Sequence, residues 1–311
     1  MESQKDYNHP KKVQSFIQRD FKKLEPKLLL QPLPLWVTKL SKDLFFDCHC
    51  HLDLLFVKHL PQMELESYDE VLNAFPTMRS LGGLITSFCQ PSLWSSHLQP
   101  PSPLVISMLA RANHSYTVGV HPNFASQLRN RSYIERFLRH LLSQPGVVGL
   151  GECGLDCLAR AAMEDQIQVF TLQVKLAIQL KLPLVLYIRG AEVEALRVLD
   201  EVELPRSWPI HRQWCLGMES WSCWSPWLAR FPNSVVGITL HAWEETKEVV
   251  GLLPLDKLVL QTDSPHSPHS SSYSLPVHVI HVAEKVAQLR NLSPETVLRA
   301  SRDNVRKIYN V

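Results

Sequence analysis

The sequence predicts an α/β fold, a single closed (β/α)₈ barrel of the TIM type that follows an N-terminal extension. From Leu44 onward, short runs rich in Val, Ile, Leu and Phe alternate with longer stretches of helical periodicity. Eight such runs occur in residues 43–311, the length of one barrel. The alternative, a doubly wound open sheet, usually carries a glycine-rich phosphate turn after an early strand, and no such turn occurs among the 11 glycines.

The apolar runs give the predicted strands, and the stretches between them give the helices. The predicted strands are 44–48, 83–89, 116–120, 147–152, 184–188, 209–213, 234–239 and 257–263. The predicted helices are 68–80, 104–112, 131–144, 164–181, 190–201, 219–230, 243–253, 277–290 and 294–308. The clearest is 164–181, where an apolar stripe runs along one face and Pro183 follows the last turn. Ser293 and Pro294 are a typical N-cap and first residue of the last helix.

Residues 1–42 differ from the rest of the chain. They are rich in charge and end in a segment rich in Pro and Leu. We expect an extension that packs loosely or is mobile, with a short helix at 13–23. Residues 43–311 are then predicted to form the barrel.

Composition excludes several classes of protein. Apolar residues make up 45% of the chain, which is enough to bury a large core. A formal net charge of +2 argues against a protein that coats polyanions. No run of 18 uncharged apolar residues occurs, so we expect neither a membrane span nor a signal peptide. The seven cysteines are scattered, which favours reduced thiols and an intracellular location, cytoplasmic or nuclear.

The strongest chemical signal is the segment 47–53, Asp-Cys-His-Cys-His-Leu-Asp, at the end of the first predicted strand. Residues i and i+2 of a strand point to the same side, so His49 and His51 are expected to project together into the barrel mouth. Two imidazoles placed there can share one metal ion. The alternative is that two polar residues merely happen to end a strand.

Three further polar residues follow later strands. Glu152 follows the run 147–151, and a lone carboxylate there is costly unless it is paired or bound to a metal. Asp263 ends the eighth predicted strand and is a second candidate ligand. His121 follows the third strand and is either a phosphate contact or a plain loop histidine. For the two carboxylates, the alternative is a helix cap or a turn.

Taken in order, these segments resemble the TatD family of metal-dependent deoxyribonucleases, a branch of the amidohydrolase superfamily. The family pattern is D-x-H-x-H-L-D, G-x-H-P, G-E-x-G-L-D and T-D-x-P, which matches residues 47–53, 119–122, 151–156 and 262–265. The resemblance extends from about Leu44 to Val311. It implies a (β/α)₈ barrel and a centre built for two divalent cations.

The resemblance also implies which residues hold each cation. The first cation is implied to be held by His49, His51, Glu152 and Asp263, all of which are present. The second requires one histidine on strand five and one on strand six, and here Tyr187 and Gln213 stand in their places. A phenol must lose a proton to bind metal well, and a glutamine carbonyl is a weak neutral donor. His211 lies too far from the strand end to replace them.

These observations lead to a functional prediction. We expect a hydrolase that cleaves phosphodiester bonds, in DNA or a related substrate, with a water activated by one divalent ion, Mg, Mn or Zn, rather than two. Asp263 would orient the metal-bound water or accept its proton, and Glu152 would bind the ion. His121 and Arg189 would bind the substrate phosphate. A monomer is expected. The alternative is a catalytically silent barrel that binds nucleic acid or a protein. Single-metal hydrolysis of a carbon–nitrogen bond is less favoured, because the motifs match the nuclease branch.

Overall fold

Eight parallel strands form a barrel in the computed structural model, which describes residues 33–59, 66–91, 107, 110–111, 113–127, 131–213, 220–240, 243–266 and 274–311. The strands follow one another around the barrel in chain order. The predicted (β/α)₈ fold is therefore confirmed. The strands are β1 (Phe46–Cys50), β2 (Gly83–Phe88), β3 (His114–Val118), β4 (Val147–Asp156), β5 (Leu184–Arg189), β6 (Ile210–Arg212), β7 (Ser234–Ile238) and β8 (Leu258–Leu260).

Eight α-helices of four residues or more occur in the described part of the chain. They are α1 (Tyr68–Ala74), α2 (Arg131–Leu142), α3 (Met163–Leu180), α4 (Glu192–Glu201), α5 (Trp221–Arg230), α6 (Trp243–Leu252), α7 (Val279–Arg290) and α8 (Pro294–Tyr309). The helix predicted over 68–80 was too long. The α-helix ends at Ala74, and a 3₁₀ helix, Pro76–Ser80, follows it, because Pro76 cannot continue the α-helical hydrogen bonds. The helix predicted at 13–23 and most of 104–112 lie outside the described residues.

Four strands have boundaries that differ from the prediction by two residues or more. The eighth ends at Leu260, so Asp263 does not end the strand but follows it. The first strand begins two residues later than expected, because Lys42–Leu44 form a 3₁₀ turn. The third begins two residues earlier, at His114. The fourth does not end at Glu152 but runs to Asp156, and the register with β5 shifts between Gly151 and Cys153. Such an irregularity lets the strand continue past Glu152 while it re-aims the side chains.

The barrel closes where β8 meets β1. Asp47 of β1 accepts hydrogen bonds from the backbone N–H of Thr262 (2.9 Å) and from its hydroxyl (2.5 Å). One residue further on, the N–H of Asp263 donates to the carbonyl oxygen of His49 over 3.0 Å. These bonds hold the C-terminal end of the last strand against the first, so the motifs at 47–53 and 262–265 become neighbours.

Apolar side chains fill the layer between the strands and the helices. The stripe predicted on 164–181 is buried at its centre, with Phe170, Val174 and Ala177 fully covered, but Leu180 at its end is 38% exposed. The end of the predicted extension also contributes, since Val37 is buried and the indole N–H of Trp36 donates to Glu284 of α7 over 2.9 Å. Residues 1–32 lie outside the described part, and the division at residue 42 stays a prediction. In the described residues, no helix is long and apolar enough to cross a membrane.

Candidate metal centre

Four side chains converge at the mouth of the barrel, two from the end of β1, one from within β4 and one from the segment after β8. His49 and His51 project from β1 with their Nε2 atoms 3.2 Å apart. A carboxylate oxygen of Glu152 lies 3.8 Å from the first of these nitrogens and 3.6 Å from the second. An oxygen of Asp263 lies 3.6 Å and 3.4 Å from the same two atoms. The structure therefore brings together the four residues that the sequence proposed as one ligand set.

The geometry and chemistry of this set fit a divalent cation. A tetrahedral ion with ligand bonds of about 2.0–2.1 Å keeps its ligand atoms about 3.3 Å apart. The five distances above, 3.2–3.8 Å, lie near that value. Among the described residues, His49, His51 and Glu152 form a buried group whose ligand atoms all lie within 4.8 Å of one another, and Asp263 adjoins it through the two histidines.

The Nδ1 of His51 lies 3.0 Å from the carbonyl oxygen of Ser87, which can only accept a hydrogen bond. Nδ1 therefore carries a proton, and Nε2 is the ring atom that would face a cation. Burial disfavours the charged ring, but Cys89, Asp263 and Glu152 outweigh it and raise the pKa of His51 well above its usual value, so a cation would replace the proton on Nε2.

Burial and neighbouring charges set the protonation of the ligands. Burial lowers the pKa of His49 well below its usual value, with a further contribution from His51, so its imidazole is neutral at pH 7. Burial raises the pKa of Glu152 to about 7 in the ion-free protein. Burial acts against ionised Asp263 as well, but the hydrogen bond from His51 and nearby histidine charges lower its pKa well below the usual value. A bound cation would compensate these buried carboxylates.

Asp263 reaches its position through an unusual backbone conformation. Its φ is 56°, in the left-handed region, which aspartate tolerates better than most residues that carry a side chain. This conformation follows directly after the bonds between Thr262 and Asp47. The turn places the Asp263 carboxylate beside the two histidines. Such conformations often occur at functional sites, where the surrounding structure holds them.

The sequence prediction missed two residues of β2 and the turn that follows it. The Ser87 hydroxyl accepts a hydrogen bond from the backbone N–H of Glu152 over 3.1 Å and so fixes the position of that ligand. The thiol of Cys89 lies 3.8 Å from the Glu152 carboxylate, and burial raises the pKa of this thiol to about 11. Ser87 and Cys89 are two residues apart, as His49 and His51 are, and that shared spacing at a strand end was the available signal.

A second cluster contains three of the other predicted residues, His121, Tyr187 and Arg189. The rings of His121 and Tyr187 lie 4.6 Å apart between their centroids, and the guanidinium of Arg189 lies 5.8 Å from the Tyr187 ring centroid. Arg189 is also held by two hydrogen bonds, of 2.7 and 2.6 Å, to the buried carboxylate of Asp156. Burial lowers the pKa of His121 to about 3. Its Nδ1 accepts from the Asn123 N–H, so the proton of the neutral ring is on Nε2.

Gln213 is held in a separate set of contacts inside the barrel. Its carboxamide oxygen accepts a hydrogen bond from the side chain of Gln261. The Gln261 carboxamide oxygen lies 2.9 Å from Nε2 of His211, whose Nδ1 lies 2.6 Å from the hydroxyl of Tyr309. Both ring nitrogens of His211 thus have partners, which agrees with the prediction that His211 does not restore a second metal site. Burial lowers the pKa of His211 to about 4.

Comparison with known proteins identifies relatives of the whole barrel. The family model "TatD related DNase" matches residues 46–310. A human protein named 3'-5' RNA nuclease TATDN2 is 30% identical over 286 residues, which cover 86% of this chain and 35% of that protein. The chain therefore spans about a third of the length of TATDN2. The 3'-5' ssDNA/RNA exonuclease TatD of Erwinia billingiae is 28% identical over 228 residues, 63% of this chain and 77% of that enzyme.

Solved structures agree on the fold. The TatD homologue YjjV of Escherichia coli superposes with a TM-score of 0.69 at 21% identity, covering 87% of this chain and all of the other. A TatD family hydrolase from Entamoeba histolytica gives a TM-score of 0.67 at 17% identity, over 85% of this chain and 97% of the other. The family match extends from β1 to the end of α8 and includes all four converging ligands. The chain accordingly belongs to the TatD family of DNase-related proteins.

Proposed function

We propose that this protein is a nuclease that hydrolyses phosphodiester bonds of DNA or RNA with a single divalent cation. The observation that carries the proposal is the cluster of His49, His51 and Glu152, whose ligand atoms all lie within 4.8 Å of one another, with an oxygen of Asp263 3.4–3.6 Å from the two imidazole nitrogens. The names of the relatives, which include enzymes for single-stranded DNA and RNA, support a nucleic acid as the substrate. Nitrogen and oxygen donors in this proportion suit Zn²⁺ or Mn²⁺, and Mg²⁺ is a third candidate.

The side chains divide the chemistry among them. His49, His51, Glu152 and Asp263 would hold the ion, which would acidify a water molecule and polarise a phosphoryl oxygen. Asp263 is suited to receive the proton of the attacking water, because its side chain is 28% exposed and its carboxylate stays ionised at neutral pH. Glu152 is buried and would serve only as a ligand of the ion. These roles follow from exposure and charge as well as from position.

The second cluster would bind the substrate phosphate. The Nε2–H of His121 and the hydroxyl of Tyr187 are both hydrogen-bond donors. Arg189 keeps its positive charge, and Asp156 fixes its orientation. We assign Tyr187 to the phosphate rather than to a metal, because a phenol binds a cation well only after it has lost its proton. Positioned donors of this kind typically contribute about a hundredfold to a thousandfold each to the rate.

A nuclease assay with a metal-site variant tests the proposal. The full chain is loaded with Mn²⁺, Mg²⁺ or Zn²⁺, desalted, analysed for bound metal and incubated with end-labelled single-stranded DNA and RNA. We expect about one bound ion per chain, and we expect the protein loaded with at least one of these metals to cleave an oligonucleotide. His49→Ala should lose both the ion and the cleavage, whereas His140→Ala, on the exposed side of α2, should keep both.

Two results would contradict the proposal. Equal cleavage by His49→Ala and the parent would mean that the activity does not come from this centre. An ion-loaded parent that binds labelled oligonucleotide but never cleaves it would favour the alternative, a silent barrel that acts as a binding module.

A further inference from the structure

A cavity of about 450 Å³ lies at the end of the barrel opposite to the metal centre. Its wall includes Lys42 of the turn before β1, Gly83, the first residue of β2, and His114, the first residue of β3. All strands are parallel, so these residues mark the N-terminal end of the barrel. Gly83 pairs with Phe46 of β1, and five residues of chain, about 16 Å along a strand, separate Phe46 from His51. The cavity is therefore a site of its own.

Cations outnumber carboxylates around this cavity. Among the described residues that line it, Lys42, Arg79 and Arg111 are cationic, and Asp69 is the one carboxylate. Arg111 and Asp69 form an ion pair over 2.6 Å and offset each other. Arg79 donates over 2.6 Å to the side-chain oxygen of Asn73, which is neutral, and in the described part of the chain neither Arg79 nor Lys42 has a carboxylate within ion-pair distance. Two positive charges on the cavity wall thus have no counter-charge there.

Packing holds the wall of the cavity in place. The buried ring of Tyr68 meets the ring of His114 edge-on, with 4.6 Å between their centroids, and the guanidinium of Arg111 lies 5.1 Å from the Tyr68 ring centroid. On the opposite strand, Gly82 lets the backbone of Lys42 approach closely, since a Cβ atom at Gly82 would lie 2.3 Å from the Lys42 carbonyl oxygen. A wall that is already organised loses little conformational entropy when a ligand binds.

The charges favour binding over a purely structural role. The N-terminal end of a barrel usually contributes to stability, but like charges without counter-charges repel each other and do not stabilise the fold. Lys42 and Arg79 are both exposed, so a ligand from solution can reach them. A guanidinium matches the oxygens of a phosphate with two parallel hydrogen bonds, and the flexible stem of a lysine lets its ammonium follow the anion. A phosphate monoester carries about 1.5 to 2 negative charges at pH 7, which offsets these two cations.

We propose that this cavity binds a small organic phosphate monoester, with Lys42 and Arg79 on its phosphate group. Sites for small organic molecules have volumes of roughly 300–1,000 Å³, so a cavity of about 450 Å³ has room for the organic part as well as the phosphate. A nucleoside monophosphate has the required chemistry. The site does not depend on the proposed nuclease function, because it shares no residue with the metal centre.

Amide signals of the glycines test where the ligand binds. The full chain, labelled with ¹⁵N-glycine and loaded with diamagnetic Zn²⁺, is titrated with adenosine 5'-monophosphate (AMP) and, separately, with adenosine. Gly82 and Gly83 line the cavity, whereas Gly151 precedes the metal ligand Glu152. We expect AMP to move the signals of Gly82 and Gly83, and we expect adenosine to leave them in place. A change at Gly151 without any change at Gly82 and Gly83 would place AMP at the metal centre and overturn the proposal.

Charge-removing variants test which residues hold the phosphate. Lys42→Gln and Arg79→Gln should each raise the dissociation constant of AMP, read from the Gly82 signal, by about tenfold to a hundredfold, because each removes a charge-assisted contact. Lys175→Gln on α3 and Arg136→Gln on α2 are the matched controls, since both side chains are exposed, and they should bind AMP as the parent does. Parent-like affinity in both cavity variants would overturn the proposal.

Inorganic phosphate distinguishes a monoester site from a site for the free ion. We expect inorganic phosphate to bind at least about tenfold more weakly than AMP, because it leaves most of the cavity unfilled. Equal dissociation constants for the two would mean that the cavity takes the free ion, and equal effects of AMP and adenosine would mean that the cations do not recognise phosphate. Either result contradicts the proposal. Far-ultraviolet circular dichroism of each variant shows that it is folded.

Discussion

At the scale of single residues, the packing of the barrel interior requires small residues next to large buried polar side chains. Gly237 illustrates this, because any side chain at that position would enter the space of Gln261 and His211. Both are fully buried and hydrogen-bonded, so neither can move without breaking a bond. The sequence shows only a glycine in an apolar run, and its partners are 24 and 26 residues away.

We therefore predict that Gly237→Ala lowers the free energy of unfolding by about 1–3 kcal/mol, the usual range for overpacking. Gly251→Ala is a matched control, because a Cβ there meets no atom within 4 Å and alanine favours the helix α6. That variant should be as stable as the parent or more so. Urea unfolding of the three proteins checks the prediction, and equal stability of the two variants would contradict it.

His211 gives a second prediction, which concerns pH. Its folded pKa of about 4 is lower than the value of about 6.5 in an unfolded chain, because burial disfavours the charged ring. The folded state then binds fewer protons, so its stability is complete above pH 6.5 and falls as the pH drops towards 4. One such group contributes a slope of up to about 1.4 kcal/mol per pH unit.

We expect the parent to lose stability between pH 6.5 and 4.5, and His211→Gln to show a smaller slope. The buried His121 acts in the same direction, so the difference between the two proteins, rather than the slope of the parent, reports on His211. Denaturant unfolding at several pH values measures it. Parallel curves for parent and variant would mean that His211 is charged in the folded protein.

At the scale of elements, the last helix stabilises the last strand. Ser301 of α8 accepts a hydrogen bond from the buried N–H of Leu260 in β8 over 2.8 Å. The side-chain amide of Asn304 donates to the carbonyl oxygens of Leu255 and Leu258 over 2.9 and 2.7 Å. Side chains of α8 thus satisfy backbone groups of β8 and its approach, beside the junction where β8 meets β1. The helix therefore does more than cover apolar surface.

Ser301→Ala should lower the free energy of unfolding by about 1–3 kcal/mol, because it leaves the buried N–H of Leu260 without a partner. Ser143→Ala is the comparison, since its exposed hydroxyl donates only to the carbonyl oxygen of His140, one turn back at the end of α2. We expect that change to be within about 0.5 kcal/mol of the parent. Hydrogen exchange at Leu260 should speed up in Ser301→Ala, and unchanged exchange would contradict this account.

At the scale of the whole molecule, a bound cation would join elements that are far apart in sequence. Its ligands come from β1, β4 and the segment after β8, so the ion would link the first, middle and last parts of the barrel. An ion that binds only the folded state stabilises it by about 2.7 kcal/mol at a hundred times its dissociation constant.

We predict that Mn²⁺ or Zn²⁺ raises the midpoint of thermal unfolding by several degrees, and that EDTA reverses the effect. Glu152→Gln should remove the shift. At pH 8 and without metal, the same variant should be no less stable than the parent, because it replaces a buried carboxylate whose pKa burial raises to about 7. Differential scanning calorimetry with and without metal tests both parts, and a shift that survives in Glu152→Gln would place the ion elsewhere.

The fold class and four candidate metal ligands could be predicted from the sequence alone. Alternation of apolar runs with helical stretches is a local property, and the spacing of His49 and His51 fixes which way both side chains point. A parallel barrel brings the C-terminal ends of all its strands together, so residues after the first, fourth and eighth runs meet once the fold is known. The replacements at Tyr187 and Gln213 were also visible as departures from the family pattern.

Only the tertiary structure decided how the polar groups pair. The bonds of Asp47 to Thr262, Ser301 to Leu260 and Gln261 to His211 join residues between 41 and 215 positions apart. No local pattern encodes such partners, because a polar side chain in an apolar run looks the same whichever strand or helix lies against it. The contact of the Tyr309 hydroxyl with Nδ1 of His211 likewise depends on where that hydroxyl is buried, and burial is a property of the packed barrel.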